Sequence, residues 1–326
     1  MTRGRGATIL VPRQLRRSAE MRITLIENFR AVFYTPFYAA LSLQAFEAED
    51  LDVEVRTSPD PTKTLQQLGT GADTVSWGGP MRLLLTHDRD PRSTTVGFCE
   101  AIGRDPFFLV GRTPNPAYQP SDLIGKRVAV VSEVPTPWIC LQQDVRLAGG
   151  DPARITRAPE RAMAENADRL RAGELDVIQV FQPYARQLLD EGAGHIWYAA
   201  ASRGLATYTT LNTTREFIER HPDTVLRITR AMYRTLQWIE THDGTALAEA
   251  VATWFPDIPR HTLAACFTDY KALRLWNSTP VMRPEGFDWL RDAMLASGDI
   301  GRRIAFEECI DMRFAEQVVG QGLKPL

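Results

Sequence analysis

Lysine is scarce in this chain of 326 residues. There are four, Lys63, Lys126, Lys271 and Lys324, so arginine carries nearly all the positive charge. Acidic and basic residues almost cancel, to a net charge of −2. That balance implies no basic face, so neither nucleic acid nor an anionic membrane surface is an expected partner. Cysteine is as sparse. Cys99, Cys140, Cys266 and Cys309 stand apart, with no CxxC pair and no histidine at ligand spacing. This argues against a zinc cluster or a disulfide framework, and the four read as small buried hydrophobes. No apolar run approaches the ~18 residues of a membrane span. The signatures GxSxG, HExxH and GxxxxGK[ST] are missing, so no catalytic residue, metal or cofactor is assigned. The first twenty residues are basic. Their one apolar run, Ala7 to Val11, falls short of the roughly 7–15 residues of a secretory h-region. Residues 1–21 read as a disordered leader, or Met21 as the true start.

What is present is enough for two domains with sizeable cores. The composition, 44% hydrophobic and 24% charged, is ordinary for a globular protein. The most informative stretch is Leu65 to Asp88. A helix is stopped by Gly69 and Gly71, and Ala72 to Trp77 reads as a short buried strand. Gly78-Gly79-Pro80 then turns into a helix from Met81 to His87. A glycine turn at the carboxyl end of a strand, opening a helix, is where α/β proteins hold small ligands. A related element follows: a helix closing at Gly173, the strand Asp176 to Phe181, the turn Gln182-Pro183-Tyr184 and a helix from Ala185 to Asp190. Gly71 and Asp73 in the first answer to Gly173 and Asp176 in the second.

The rest follows by period and punctuation. Strands are expected at 22–26, 51–55, 94–98, 107–110, 126–131, 154–156, 195–199 and 205–211, and helices at 36–46, 63–68, 138–147 and 163–171. The proline-rich Thr113 to Pro120 is the best linker signal. After Leu211 the chain is helical, and 224–241 carries Val225, Ile228, Met232, Leu236 and Ile239 on one face. The order of strand, loop, helix, strand, helix, turn, strand, turn, helix occurs twice. This weak internal repeat of an α/β unit predicts two lobes with a cleft between them.

The segments FYTPFYAALSLQAFEAEDLDVEV, GTGADTVSWGGP, DLIGKRVAVVSEVPTPW and TREFIERHPDTVLRITRAM resemble the NMT1/THI5-like and SsuA-like substrate-binding proteins of ABC transporters. The resemblance runs from Arg22 to about Leu295. It implies a type II periplasmic-binding-protein fold, with two α/β lobes, an interlobe cleft and a helical C-terminal part. It places crossovers at 107–112 and 205–211, the first lobe at 22–111 plus 205–326, and the second at 112–204. It further implies a solute-binding protein that traps a small planar or anionic organic molecule. A permease would be its partner if it is exported. The family suggests a periplasmic location, and the absence of a visible signal peptide leaves a cytoplasmic one as the alternative. The family's enzyme branch, the thiamine pyrimidine synthases, uses a lysine, a histidine and a CCCFC run. Here Trp77-Gly78-Gly79, Met81 and Arg203 to Thr207 stand in those places. These departures argue against pyrimidine synthesis, which stays an alternative with a cytoplasmic ligand sensor.

Binding proteins of this type place ligands on loops that open helices. The resemblance therefore selects Asn28, Phe29, Tyr34, Gly78, Gly79, Glu100, Ser132, Thr136, Trp138, Gln182, Tyr184 and Tyr208. Gly78 and Gly79 suit a tight turn at positive φ and offer N–H groups to a ligand. Phe29, Phe33, Tyr34 and Trp138 suit stacking on a flat ligand or packing under a loop. Ser132, Thr136 and the backbone at Trp138 suit an anion, or ordinary capping, at a helix N-terminus. Glu100 is read as pairing with an amine or as solvated. Arg30 is read as binding a carboxylate or sulfonate or as solvated. His87, Asp88-Arg89-Asp90 and Glu307-Glu308 are read as solvated surface.

Overall fold

The computed structural model describes residues 21–68, 74–323 and 326. The leader and the Gly69, Gly71, Ala72 and Asp73 of the first glycine element lie outside them. The chain enters with β1 (Met21–Glu27), α1 (Thr35–Ser42), β2 (Leu51–Thr57), β3 (Thr74–Gly78), α2 (Met81–Arg89) and β4 (Thr95–Ile102). It crosses over and forms β5 (Phe108–Gly111), β6 (Val128–Ala129), α3 (Thr136–Leu147), α4 (Met163–Arg171), β7 (Val177–Val180), α5 (Tyr184–Asp190) and β8 (His195–Ala199). It returns in β9 (Thr209–Thr214). The helices α6 (Arg215–Arg220), α7 (Pro222–Thr241), α8 (Gly244–Val251), α9 (Arg260–Ala272), α10 (Pro284–Ser297), α11 (Phe306–Cys309) and α12 (Arg313–Gly320) follow.

Two sheets result. The first has the order β2-β1-β3-β9-β4, with β1 parallel to both neighbours and the returning β9 antiparallel between β3 and β4. The second has the order β6-β7-β5-β8. In β1, Ile23 and Leu25 are buried while Arg22 is exposed and Thr24 half-buried, the period-2 pattern of a strand with one face on a core. In α7 the predicted stripe of Val225, Ile228, Met232, Leu236 and Ile239 is buried throughout, at the helical spacing. Thr214 caps α6 by accepting from the Phe217 N–H at 3.2 Å.

The sheets correct the predicted boundaries. Strand β5 pairs with β7 and β8, so it lies in the second sheet. The outward crossover therefore falls between Ile102 and Phe108, ahead of the expected boundary at 111. The return falls between Ala199 and Thr209. Thr113 to Pro120 is not a linker between lobes: it follows β5, and its Tyr118 packs on Trp197 and Tyr198 of β8. The expected strand at 154–156 is instead a short 3-10 turn, Pro152–Arg154, capped by Asp151. The expected helix at 63–68 is likewise a 3-10 segment, Pro61–Gln67. Helix α1 stops at Ser42 rather than Phe46, because Gln44 takes a left-handed conformation with φ 56°.

Two C-terminal helices reach across to the second lobe. Helix α9 lies against α5, where Gln182 Nε2 donates to Asp269 at 3.0 Å and the Tyr270 hydroxyl meets the Gln182 N–H at 3.1 Å. Helix α10 lies along α3 and also touches α2 of the first lobe. Ile139 and Cys140 of α3 share one apolar cluster with Leu83 and Leu84 of α2 and Phe287 and Leu290 of α10. Between the crossovers sits a buried ionic triad. Arg203, from the return, pairs with Asp105, from the outward crossing, at 2.8 Å, and also with Asp144 of α3. Its guanidinium lies 4.8 Å from the ring centre of Trp289 in α10.

Candidate functional site

The site forms where strand ends of both lobes meet. The first lobe supplies the loop after β1, with Asn28, Phe29, Phe33 and Tyr34, and the turn from β3 into α2, with Gly79, Met81 and Arg82. The crossovers supply Phe107 and Tyr208. The second lobe supplies Val134 and Thr136 at the start of α3. Together they line a cavity of ≈ 20 Å³, close to the space of one water. Residues of both lobes meet around it, with Phe29 6.4 Å from Phe181.

Close approach of the Asn28 side chain, not positive φ, explains Gly78. Neither Gly78 nor Gly79 lies at positive φ, contrary to the expectation. A Cβ on Gly78 would stand 2.6 Å from the Asn28 amide nitrogen. One on Gly79 would stand 3.4 Å from the Tyr208 carbonyl. The missing side chains let the β1 loop and the return strand approach the turn.

The electrostatics favour an anion. Arg82 sits in the first turn of α2, a position where the helix dipole disfavours a cation. It is half-buried. Its backbone N–H donates to the Gly79 carbonyl at 3.0 Å, and among the described residues its guanidinium forms no hydrogen bond and no ion pair. Burial holds its pKa below the usual arginine value, with Tyr34 and Asp60 opposing. The amino ends of α2 and α3 both reach the cavity, adding their positive partial charge. Two further polar atoms wait unpartnered and buried in the wall, Asn28 Oδ1 and the Tyr208 hydroxyl. A ligand that hydrogen-bonds them removes an unsatisfied group. Burial pushes the Tyr34 and Tyr208 hydroxyls far above the phenol range, so both are neutral donors.

The remaining wall is aromatic. Phe33 lies 6.2 Å from Phe29, 4.3 Å from Tyr34, 6.3 Å from Phe107, 5.3 Å from Phe181 and 6.3 Å from Tyr208. Its carbonyl accepts from Trp276 Nε1 at 2.8 Å, which ties the loop to the C-terminal part.

Of the residues selected from sequence, the cavity gathers Asn28, Phe29, Tyr34, Gly79, Thr136 and Tyr208. Gly78 supports it from behind. The others point elsewhere. Glu100 is neither solvated nor facing the cleft. It is buried in β4, accepting from Asn277 Nδ2 at 2.6 Å and from the Thr207 hydroxyl, and burial pushes its carboxyl up to about 7. Ser132 is exposed and donates to the Arg161 carbonyl at 3.0 Å. Trp138 turns into the second lobe's core, with Arg157 5.0 Å from its ring centre. Gln182 is committed to Asp269, Tyr270 and the Arg186 N–H. Tyr184 is half-buried against Phe181 at 6.1 Å and stays outside the lining. Of the residues read as surface, His87 is buried, with Nε2 2.8 Å from the Thr95 carbonyl. Arg30 is exposed, bound to the buried Glu27 at 2.8 Å, and lies 5.6 and 5.1 Å from the ring centres of Tyr38 and Trp254. Asp88 accepts from the Gly301 and Arg302 N–H groups, and Glu308 pairs with Arg302.

Sequence reasoning missed Arg82, Met81, Phe107 and Val134. Arg82 carried a signal, a cation in the first turn of a helix opened by glycines. Phe107 carried none, because a phenylalanine beside a strand reads as core. A larger hollow of ≈ 360 Å³ lies within the C-terminal part, lined by Glu240, Lys271, Arg274 and Asn277 among others. Its lysine already donates to the Ile239, Glu240 and His242 carbonyls at the end of α7, and neither β1 loop nor α3 reaches it.

All four cysteines are buried, and none lines the interlobe cavity. Burial pushes the Cys266 and Cys309 thiols up to about 12, and those of Cys99 and Cys140 higher.

The NMT1/THI5-like family model matches residues 32–246. Among curated proteins, "Putative binding protein YtlA" of Bacillus subtilis (strain 168) is 23% identical over 302 residues, 92% of this chain and 90% of that one. Among solved structures, the periplasmic aliphatic sulphonate binding protein SsuA from Escherichia coli aligns with a TM-score of 0.71. It is 14% identical, over 90% of this chain and 93% of that one. The alkanesulfonate-binding protein SsuA from Xanthomonas axonopodis pv. citri, bound to MOPS, aligns with a TM-score of 0.68. It is 13% identical, over 90% of this chain and all of that one. The fold they share with this chain is the type II periplasmic-binding-protein fold expected from the sequence.

Proposed function

Because this chain belongs to the NMT1/THI5-like family, we propose that it is a solute-binding protein that captures a small organic anion between its lobes for an ABC importer. The observation that carries the anion is Arg82, a guanidinium unpaired among the described residues, beside two helix amino ends and two unsatisfied polar atoms. Binding is coupled to closure. Arg82, Asn28 and Tyr34 belong to the first lobe and Thr136 to the second, so the solute touches all of them only in the closed form. Ligand then shifts the population from open to closed by that difference in contacts.

The family's pyrimidine-synthase branch finds little support. The lysine, histidine and cysteine run are replaced, and the four buried thiols offer no nucleophile in the cleft. The likeness to the two sulfonate-binding proteins supports an anionic headgroup. Delivery to a permease and a place of action outside the cytoplasm complete the reading.

A thermal-shift screen of sulfonates, aromatic carboxylates, nitrate, flavins and pyrimidines tests it. A solute at ~100 times its Kd stabilises by about 2.7 kcal/mol. The expected result is a rise with an anion that Arg82→Gln abolishes. A neutral solute that binds equally to wild type and Arg82→Gln would overturn it.

A further inference from the structure

Rings from opposite lobes face one another across the site. Phe29 stands at the end of β1 on the first lobe, and Phe181 at the end of β7 on the second. Their centroids are 6.4 Å apart and their planes lie within 21° of parallel. Phe33 and Phe107 meet Phe181 edge-on, each at 5.3 Å. One aromatic ring between two others needs two contact distances of ~3.5 Å, about 7 Å in all. The centroid spacing is the most that the plane separation can be, and it falls short of that by roughly half an ångström. The cavity beside it, at ≈ 20 Å³, is too small for a benzene ring. Room for a solute must therefore come from drawing these rings apart.

That requirement selects the solute. Drawing Phe29 and Phe181 further apart loosens this aromatic cluster and exposes apolar surface. A flat aromatic ring between them gives each a face-to-face partner at once. A puckered or aliphatic body of equal area restores burial but not the ring-to-ring geometry. The two faces also come from different lobes, so an inserted ring is covered on both sides only after closure.

The geometry points to a solute with an aromatic ring, clasped between Phe29 and Phe181 as the lobes close, its anionic group turned toward Arg82. This inference rests on the anion reading above.

The test compares head groups held constant on flat and puckered rings. Benzenesulfonate with cyclohexanesulfonate, and benzoate with cyclohexanecarboxylate, are titrated calorimetrically into the full chain. The aromatic member of at least one pair should bind about tenfold or more tightly than its partner. Phe181→Leu, which keeps an apolar side chain there, should erase that preference while both members still bind, and Phe29→Leu should do the same. Circular dichroism melts establish that the variants fold. Equal binding of flat and puckered members, or a preference that survives Phe181→Leu, overturns the ring. Should a non-aromatic anion such as nitrate bind while all four probes fail, the ring falls and the anion reading stands. Should no anion bind at all, both fall.

Discussion

The Asn28 side-chain amide occupies the place that a Cβ on Gly78 would take, with 2.6 Å between that point and Nδ2. The site's first polar residue is thus positioned by the absence of an atom on its neighbour. Gly78→Ala should push Asn28 from the wall, weakening solute binding about tenfold, or 1.4 kcal/mol. It should also lower stability by about 1–3 kcal/mol through overpacking. Adding Asn28→Ala relieves the clash, so stability should recover in denaturant titrations while affinity in calorimetry should not.

Arg82 separates binding from stability. A half-buried cation without a partner among the described residues opposes folding slightly, so Arg82→Gln should leave the unliganded melting temperature unchanged or raise it. The same change should abolish the solute-induced rise. A fall in the unliganded melting temperature of several degrees would mean that Arg82 has a structural partner.

Glu100 gives the chain a pH dependence of definite sign. Its carboxyl titrates near 7 in the folded protein, against an ordinary value of 4.5, because burial outweighs the hydrogen bonds from Thr207 and Asn277. Between those values the folded state holds the proton and the unfolded state has released it, so stability falls as pH rises through the window. The shift corresponds to about 3 kcal/mol, lost by about pH 8. Urea midpoints should therefore drop between pH 5 and pH 8. Glu100→Gln should flatten that part of the slope and be the more stable protein at pH 8.

The triad at the crossovers should tolerate no single deletion. Arg203→Met leaves Asp105 and Asp144 without their cation, and Asp105 is fully buried. The expected loss is about 3–5 kcal/mol. Asp105→Asn in the same chain should return part of it, measured as a shift of the denaturant midpoint.

The lobes, their order of elements and the α7 stripe were legible because apolar period and glycine turns encode them locally. The crossing point was read a few residues late because β5, Phe108–Gly111, is apolar throughout and so shows no change of sheet. Thr113 to Pro120 misled for a related reason, since prolines mark a loop without saying which elements it joins. In the site, Asn28, Phe29, Tyr34, Thr136 and Tyr208 were legible through the resemblance to binding proteins, which selects strand ends and helix starts. Glu100, Trp138 and Gln182 occupy equivalent places, yet their side chains turn to Asn277, Arg157 and Asp269. That direction depends on partners 19 to 177 positions away in the chain, which no local pattern records.

The apolar cluster that joins Leu83 and Leu84 of α2, Ile139 and Cys140 of α3 and Phe287 and Leu290 of α10 belongs to neither lobe alone. A protein whose lobes held private cores would unfold piecewise, with two heat-absorption peaks. Here the melting of either half strips the cover from the other. The molecule should therefore denature as one cooperative unit, with calorimetric and van't Hoff enthalpies that agree.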